Sequence, residues 1–196
     1  MSLLTEQSDN FKSLADELLA SSKLPQILEK YGQVRFVGSY AAELMMHGDI
    51  DIHILRDKEF SRQETLDMFN EIVASTKFNS YYIGDWNDSN AHPEFPYGYY
   101  IGLNTRIGEI KWKIDIWFLS IAEQERFDRK NMDVTKIALS DEQREAILTF
   151  KKYRQENNIK ISGQEIYEMV IKNGITKVSP GSIPPPGGVQ YPFSAA

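Results

Sequence analysis

The sequence predicts a mixed α/β core followed by a helical C-terminal region, and three features carry that prediction. Residues 49–55 ("DIDIHIL") and 110–118 ("IKWKIDIWF") alternate polar and apolar side chains, the period of a half-buried strand. Helix-period segments precede and separate the strand candidates. Beyond residue 120 the strand pattern stops and helix-start signals recur. The resulting order is helix, strand, helix, strand, helix, three strands, then helices, which suits a small mixed sheet flanked by helices.

Each element has a local reason. Phe11, Leu14, Leu18 and Leu19 recur at helical spacing within residues 8–31, where Pro25 opens a second short helix that Gly32 ends. "VRFVG" is a short strand. "SYAAELMM" reads as a helix capped by Ser39 and broken at Gly48. "SRQETLDMFNEIVAST" starts with a capping box, Ser61 and Glu64, and sets Leu66, Phe69, Ile72 and Val73 on one face. Two aromatic-rich strands, residues 78–86 and 97–106, flank a polar loop that holds His92. Helices are expected over residues 120–128, 141–155 and 164–173, with the box pattern at Ser120/Glu123, Ser140/Gln143 and Ser162/Glu165. The chain divides into N-terminal helices (1–33), a core (34–120), a C-terminal helical region (121–174) and a Pro/Gly-rich tail (175–196), the last expected to be extended.

At 196 residues and 41% hydrophobic content, the chain is long enough to bury one substantial core. Its net charge of −6 gives no basic field of the kind that drives non-specific nucleic-acid binding. It has no cysteine, which excludes disulfides and thiolate metal sites. The N-terminus lacks a basic region followed by a long apolar core, and no run is long enough to span a bilayer. A cytoplasmic location without membrane attachment is the expectation.

Carboxylates are poor strand residues and costly inside a sheet. Yet Asp49 and Asp51 stand two apart in one strand, sharing a face with His53, while Ile50, Ile52 and Ile54 share the other. In the later strand Ile110, Trp112, Ile114, Ile116 and Phe118 form the apolar face, opposite Lys111, Lys113, Asp115 and Trp117. If the two strands are neighbours, three carboxylates converge and raise one another's pKa unless a cation neutralises them. Hard oxygen ligands without cysteine favour Mg²⁺ or Mn²⁺. A paired-metal site of this kind clamps the attacking and leaving oxygens of an in-line displacement at phosphorus. Gly38 and Ser39, at a strand-to-helix turn, supply backbone N–H groups for a phosphate.

Gly38-Ser39, nine intervening residues, Asp49-x-Asp51 in an apolar strand and Asp115 on a later strand resemble the nucleotidyltransferase superfamily of DNA polymerase β. The resemblance spans residues 34–119. The short chain and helical C-terminus look like the stand-alone bacterial aminoglycoside and lincosamide nucleotidyltransferases. The resemblance implies a nucleotidyltransferase-like fold in which Asp49, Asp51 and Asp115 are catalytic and hold two Mg²⁺ (or Mn²⁺) ions. It implies that Gly38 and Ser39 hold the triphosphate of an NTP such as ATP. The implied reaction moves a nucleoside monophosphate to an acceptor hydroxyl and releases pyrophosphate. The sequence departs from many members in reading Tyr40-Ala41-Ala42 where they carry a basic residue. Lys111 and Lys113 are therefore the candidate triphosphate ligands, with Lys151 or Lys152 reaching over from the C-terminal region.

The acidic balance favours a small molecule or a protein side chain over a polynucleotide as acceptor. His47 and His53 read as structural histidines beside the carboxylates, and Glu109 has only its position near a strand to recommend it. Tyr81, Tyr82, Trp86, Tyr97, Tyr99 and Tyr100 read as sheet packing, a subset of them lining an acceptor pocket. The competing reading is an inactive nucleotide-binding or protein-interaction module that keeps the fold. The missing basic residue favours it, and retention of three carboxylates argues against it.

Overall fold

The computed structural model describes residues 2–87 and 95–178, so His92 and residues 179–196 of the tail lie outside the described residues. In chain order the elements are α1 (Leu3–Ser22), α2 (Leu24–Leu28), β1 (Gln33–Val37), α3 (Gly38–Ala41) and β2 (Gly48–Arg56). They continue with α4 (Arg62–Ser75), β3 (Ser80–Asp85), β4 (Tyr99–Ile107), β5 (Ile110–Ser120), α5 (Ile121–Lys130), α6 (Asp141–Glu156) and α7 (Gly163–Tyr167). The strands form one mixed sheet in the order β1-β2-β5-β4-β3. Among the described residues, β2 and β5 are parallel and the other neighbouring strands antiparallel.

Alternation sets the two faces of this sheet. Ile50, Ile52 and Ile54 of β2 and Trp112, Ile114, Ile116 and Phe118 of β5 are buried in one cluster. Leu18, Leu19, Leu24 and Leu28 from α1 and α2, with Met68 and Ile72 from α4, cover that face. Each fully buried aliphatic side chain of this kind contributes about 1.5–3 kcal/mol. The opposite face carries Asp51, His53, Asp115 and Trp117, and α5 and α7 stand over it rather than filling it.

A second cluster joins Ile147, Leu148 and Phe150 of α6 to Ile166 of α7 and to Leu44, Met46 and Val134. This explains one departure from the sequence expectation. The helix expected over "SYAAELMM" is a single turn, α3, closed by Glu43 at a φ of +56°. Leu44 and Met46 enter the second cluster while Met45 enters the first. Alternation of this kind needs extended backbone, and one helical face cannot serve both cores. Gly48, expected as a helix breaker, is instead the first residue of β2.

The caps fall where Ser-x-x-Glu/Gln predicts them, with one instructive exception. Ser61/Glu64, Ser140/Gln143 and Ser162/Glu165 make reciprocal capping boxes. Ser120 accepts from the Glu123 N–H, but the Glu123 carboxylate accepts from the Tyr97 N–H and pairs with Arg126 instead. Helix α1 begins at Leu3, capped by Ser2, whose hydroxyl also donates to Glu145 of α6. The expected last helix is split: α7 is followed by a wider turn, Glu168–Lys172, closed by an Asn173 N–H bond to the Glu168 carbonyl. Among the described residues no helix is long and apolar enough to cross a membrane.

Candidate active site

The parallel pairing of β2 with β5 builds the site. Its register sets Asp49 beside Lys113, Asp51 beside Asp115 and His53 beside Trp117. One ligand oxygen from each of Asp49, Asp51 and Asp115 lies within 4.8 Å of the others. On the other side β1 ends with Val37 paired to Asp51, and the chain turns at Gly38 with a φ of +63°. A Cβ on Gly38 would sit 2.3 Å from Asp51 Oδ2. Only glycine lets the backbone turn this close to the carboxylate.

The electrostatics are those of a site short of positive charge. Burial raises the pKa of Asp51, and the neighbouring Asp49 and Asp115 carboxylates raise it further. Burial likewise raises Asp49 and Asp115, against the pull of Lys113. Lys113 Nζ donates to Asp115 Oδ2 at 2.6 Å, and Tyr100 OH donates to Asp115 Oδ1 at 2.6 Å. Burial works against the Lys113 charge, yet Asp115 and Asp49 hold its pKa above the usual range. Asp49 Oδ1 is buried with no hydrogen-bond partner. Asp51 and Asp115 line one end of a cleft of about 510 Å³ that also meets α5 and α7.

No family model matches the sequence, and no curated protein matches it. Among solved structures, a chain of the non-canonical poly(A) polymerase complex GLD-2–GLD-3 matches over 94% of this chain, with a TM-score of 0.51 and 14% identity. This chain spans 62% of the length of that one. The fold is nucleotidyltransferase-like. At that identity the likeness concerns the fold alone.

The chemistry of the site fits the divalent cation such folds use. Three hard carboxylate oxygens converge, one buried oxygen lacks a donor, and repulsion from Asp49 and Asp115 raises the Asp51 pKa, which a bound cation would relieve. Asp49, Asp51 and Asp115 are the residues that can hold such an ion.

The remaining sequence candidates separate clearly in this nucleotidyltransferase-like fold. Gly38 lines the cleft, whereas Ser39 is buried behind it. With α3 only four residues long, the helix dipole is small, and what the turn offers a phosphate is its first N–H groups. Lys113 lines the cleft, but Lys111 is exposed near the β4–β5 hairpin and does not line it. Lys152 is exposed beside Glu156. Lys151 is 2% exposed, and its Nζ donates to the Leu44 carbonyl at 2.8 Å and the Tyr167 hydroxyl at 3.0 Å. Burial and the Arg154 charge push the Lys151 pKa down to about 7, while Asp49 and Asp51 favour its charge.

His53 is buried and bonds Gln124 of α5 through Nδ1, and burial pushes its pKa down to about 4. His47 Nε2 is 3.8 Å from Asp49 Oδ2, and burial with the Arg154, Lys151 and Lys113 charges brings its pKa to about 4. Glu109 is exposed in the β4–β5 hairpin. Of the aromatics, Trp86 and Tyr100 line the cleft, whereas Tyr81 and Tyr82 are exposed on edge strand β3.

Three features of the site are absent from the sequence candidates or differently placed there. Tyr100 orients Asp115 rather than only packing the sheet. Arg35 bridges Asp128 of α5 and Asp133, tying α5 over the cleft. Tyr167 joins Lys151 to the cleft wall. Gly102, on the same face of β4 as Tyr100, was the available signal for the first, since glycine inside a strand marks a close approach.

Proposed function

We infer that this protein is a metal-dependent nucleotidyltransferase that moves a nucleoside monophosphate from an NTP to an acceptor hydroxyl and releases pyrophosphate. The observation that carries this reading is the convergence of Asp49, Asp51 and Asp115 beside the Gly38 turn, with a buried Asp49 oxygen left without a donor. A structural trio of carboxylates would be stabilised by substitution, so its retention in a fold shared with a poly(A) polymerase complex favours catalysis.

Asp49, Asp51 and Asp115 would hold Mg²⁺ or Mn²⁺, which when bound supplies countercharge for the phosphates and activates the acceptor hydroxyl. The first N–H groups of the Gly38 turn bind the phosphates beyond the reacting one. Lys113 adds positive charge at the same end. The acceptor oxygen attacks the α-phosphorus and forms a new O–P bond. The bond from that phosphorus to its bridging oxygen breaks, and pyrophosphate leaves with the electron pair. The acceptor proton passes to a carboxylate oxygen of Asp115, which Tyr100 and Lys113 hold in orientation. Such transfer depends on positioning and charge neutralisation, the two things these residues provide. The net charge of −6 favours a small molecule or a protein as acceptor over a polynucleotide.

Calorimetric titration with each NTP, with and without Mg²⁺, tests the reading. The expected result is Mg²⁺-dependent binding that Asp49→Asn/Asp51→Asn abolishes. Binding indifferent to both metal and carboxylates would overturn it.

A further inference from the structure

The acceptor has a place in this cleft that the sheet register identifies. One row across the sheet runs Val37, Asp51, Asp115, Gly102 and Tyr82, and the next runs Arg35, His53, Trp117, Tyr100 and Gly84. Gly38 follows Val37, so the phosphate-binding turn lies on the β1 side of Asp51. Four of the cleft's aromatic rings, those of Trp86, Phe95, Tyr100 and Trp117, group at β5 and on the β4 side of Asp115, while Phe127 and Tyr167 enter from α5 and α7. In an in-line displacement the attacking and leaving oxygens sit on opposite sides of the phosphorus. Pyrophosphate leaving toward Gly38 therefore puts the attacking hydroxyl next to Asp115, on the aromatic side.

The rings there belong to neither hydrophobic core. Trp117 has its ring centroid 5.1 Å from Tyr100 and 6.1 Å from Trp86, and Phe95 stacks on it at 6.0 Å with 20° between planes. Two glycines let these rings lie down on the sheet. A Cβ at Gly84 would be 2.3 Å from Trp86 Nε1, and one at Gly102 would be 2.5 Å from the Tyr100 hydroxyl. Trp86, Phe95 and Trp117 are half-buried and line the cleft. The Tyr100 hydroxyl ends the platform on the carboxylate that would receive the acceptor's proton.

We propose that this aromatic platform is the acceptor subsite, and that the acceptor is an uncharged small molecule with its hydroxyl on or beside a flat ring. The proposal rests on the transferase reading above. Flat rings stack on Trp and Tyr faces with little dependence on their substituents. A polynucleotide is disfavoured because Asp128, Asp133, Glu165 and Glu168 line the same cleft as Arg35 and Lys130. The closing charge balance of the chain is −6.

Tryptophan fluorescence of the full chain provides the test. Trp86 and Trp117 sit on the platform, while Trp112 is 2% exposed in the core. Adenosine serves as the neutral flat-ring probe, sorbitol as an acyclic polyol and oligoadenylate as a polyanion. Saturable quenching by adenosine is expected, undiminished by saturating Mg²⁺ and a non-hydrolysable NTP, with no response to sorbitol. Trp117→Leu should weaken adenosine binding about tenfold or more. Trp117→Phe, which keeps a flat ring and a similar fold, should recover most of it.

Absence of saturable quenching at millimolar adenosine, or equal affinity in Trp117→Leu, would overturn the proposal. Loss of quenching when NTP is bound would assign the platform to the donor's base and also overturn it. Tighter, steeply salt-dependent binding of oligoadenylate would replace the small acceptor with a polynucleotide. The Asp49→Asn/Asp51→Asn variant keeps the two readings apart. If adenosine still quenches the wild-type protein while no NTP binds it under any metal, the transferase reading fails and ring recognition stands; adenosine quenching kept in the variant that has lost NTP binding supports both.

Discussion

Replacing Gly38 with alanine perturbs two things whose sizes differ enough to be measured apart. The first is backbone strain, because Gly38 has a φ of +63° and an L-residue in that region loses roughly 1–2 kcal/mol. The second is a collision, because the new Cβ would sit 2.3 Å from Asp51 Oδ2 and 3.2 Å from its Cγ. The colliding atoms are the tip of a side chain, so Asp51 can swing aside with little further loss of fold stability. The carboxylate cluster cannot follow, since Asp49 and Asp115 are set by the β2–β5 register. Urea unfolding should therefore show a loss of about 1–2 kcal/mol. Calorimetry should show Mg²⁺-dependent NTP affinity falling by more than about tenfold, equivalent to about 1.4 kcal/mol. In an Asp51→Ala background the same substitution should cost the same roughly 1–2 kcal/mol in urea unfolding, making the pair additive in stability. A Gly38→Ala protein with wild-type metal-dependent binding would refute the claim that the bare Cα holds Asp51 in place.

Three further outcomes follow from the same contacts. Because burial, joined at Asp51 by Asp49 and Asp115, raises these pKa values, the metal-free fold holds protons more tightly than the unfolded chain. Their contribution to stability is full below the usual carboxylate pKa of about 4 and is lost as pH rises through the raised values. Thermal melts across that window should show this slope without Mg²⁺ and lose it with Mg²⁺, and Asp51→Asn should raise metal-free stability at neutral pH. Lys151, with its pKa pushed down to about 7, is more readily deprotonated in the fold than in the unfolded chain. Its contribution should rise between about pH 7 and the usual lysine pKa of 10.5, a rise that denaturation curves of Lys151→Met should lack. Finally, Ser140→Ala removes one half of the α6 capping box and should lower stability by about 0.5–2 kcal/mol without changing NTP titrations.

Much of the fold was legible in local patterns, for identifiable reasons. The order of helices and strands and the two faces of β2 and β5 follow from alternation in "DIDIHIL" and "IKWKIDIWF". Where the reading failed, long-range packing overruled local preference. The "SYAAELMM" segment has the composition of a helix, yet its last residues alternate between two separate cores. Glu123 had the spacing of a capping box, yet its carboxylate serves the Tyr97 N–H across a separation of 26 residues. Lys111 and Lys113 are equivalent by period, and only the cleft's position distinguishes them.

The sequence by itself determined which side chains share a face, where helices begin and which residues are carboxylates with no apolar role. Those properties depend on backbone geometry over a few residues, and successive Cβ atoms on a strand must point to opposite sides. Tertiary structure alone decided that β2 lies beside β5, with Asp51 opposite Asp115 across a parallel pair. It also decided that Tyr100 bonds Asp115, that Lys151 is buried against Leu44 and Tyr167, and that an aromatic platform adjoins the carboxylates. A parallel pair has no hairpin to specify it, so its register comes from packing the isoleucine faces against α1, α2 and α4.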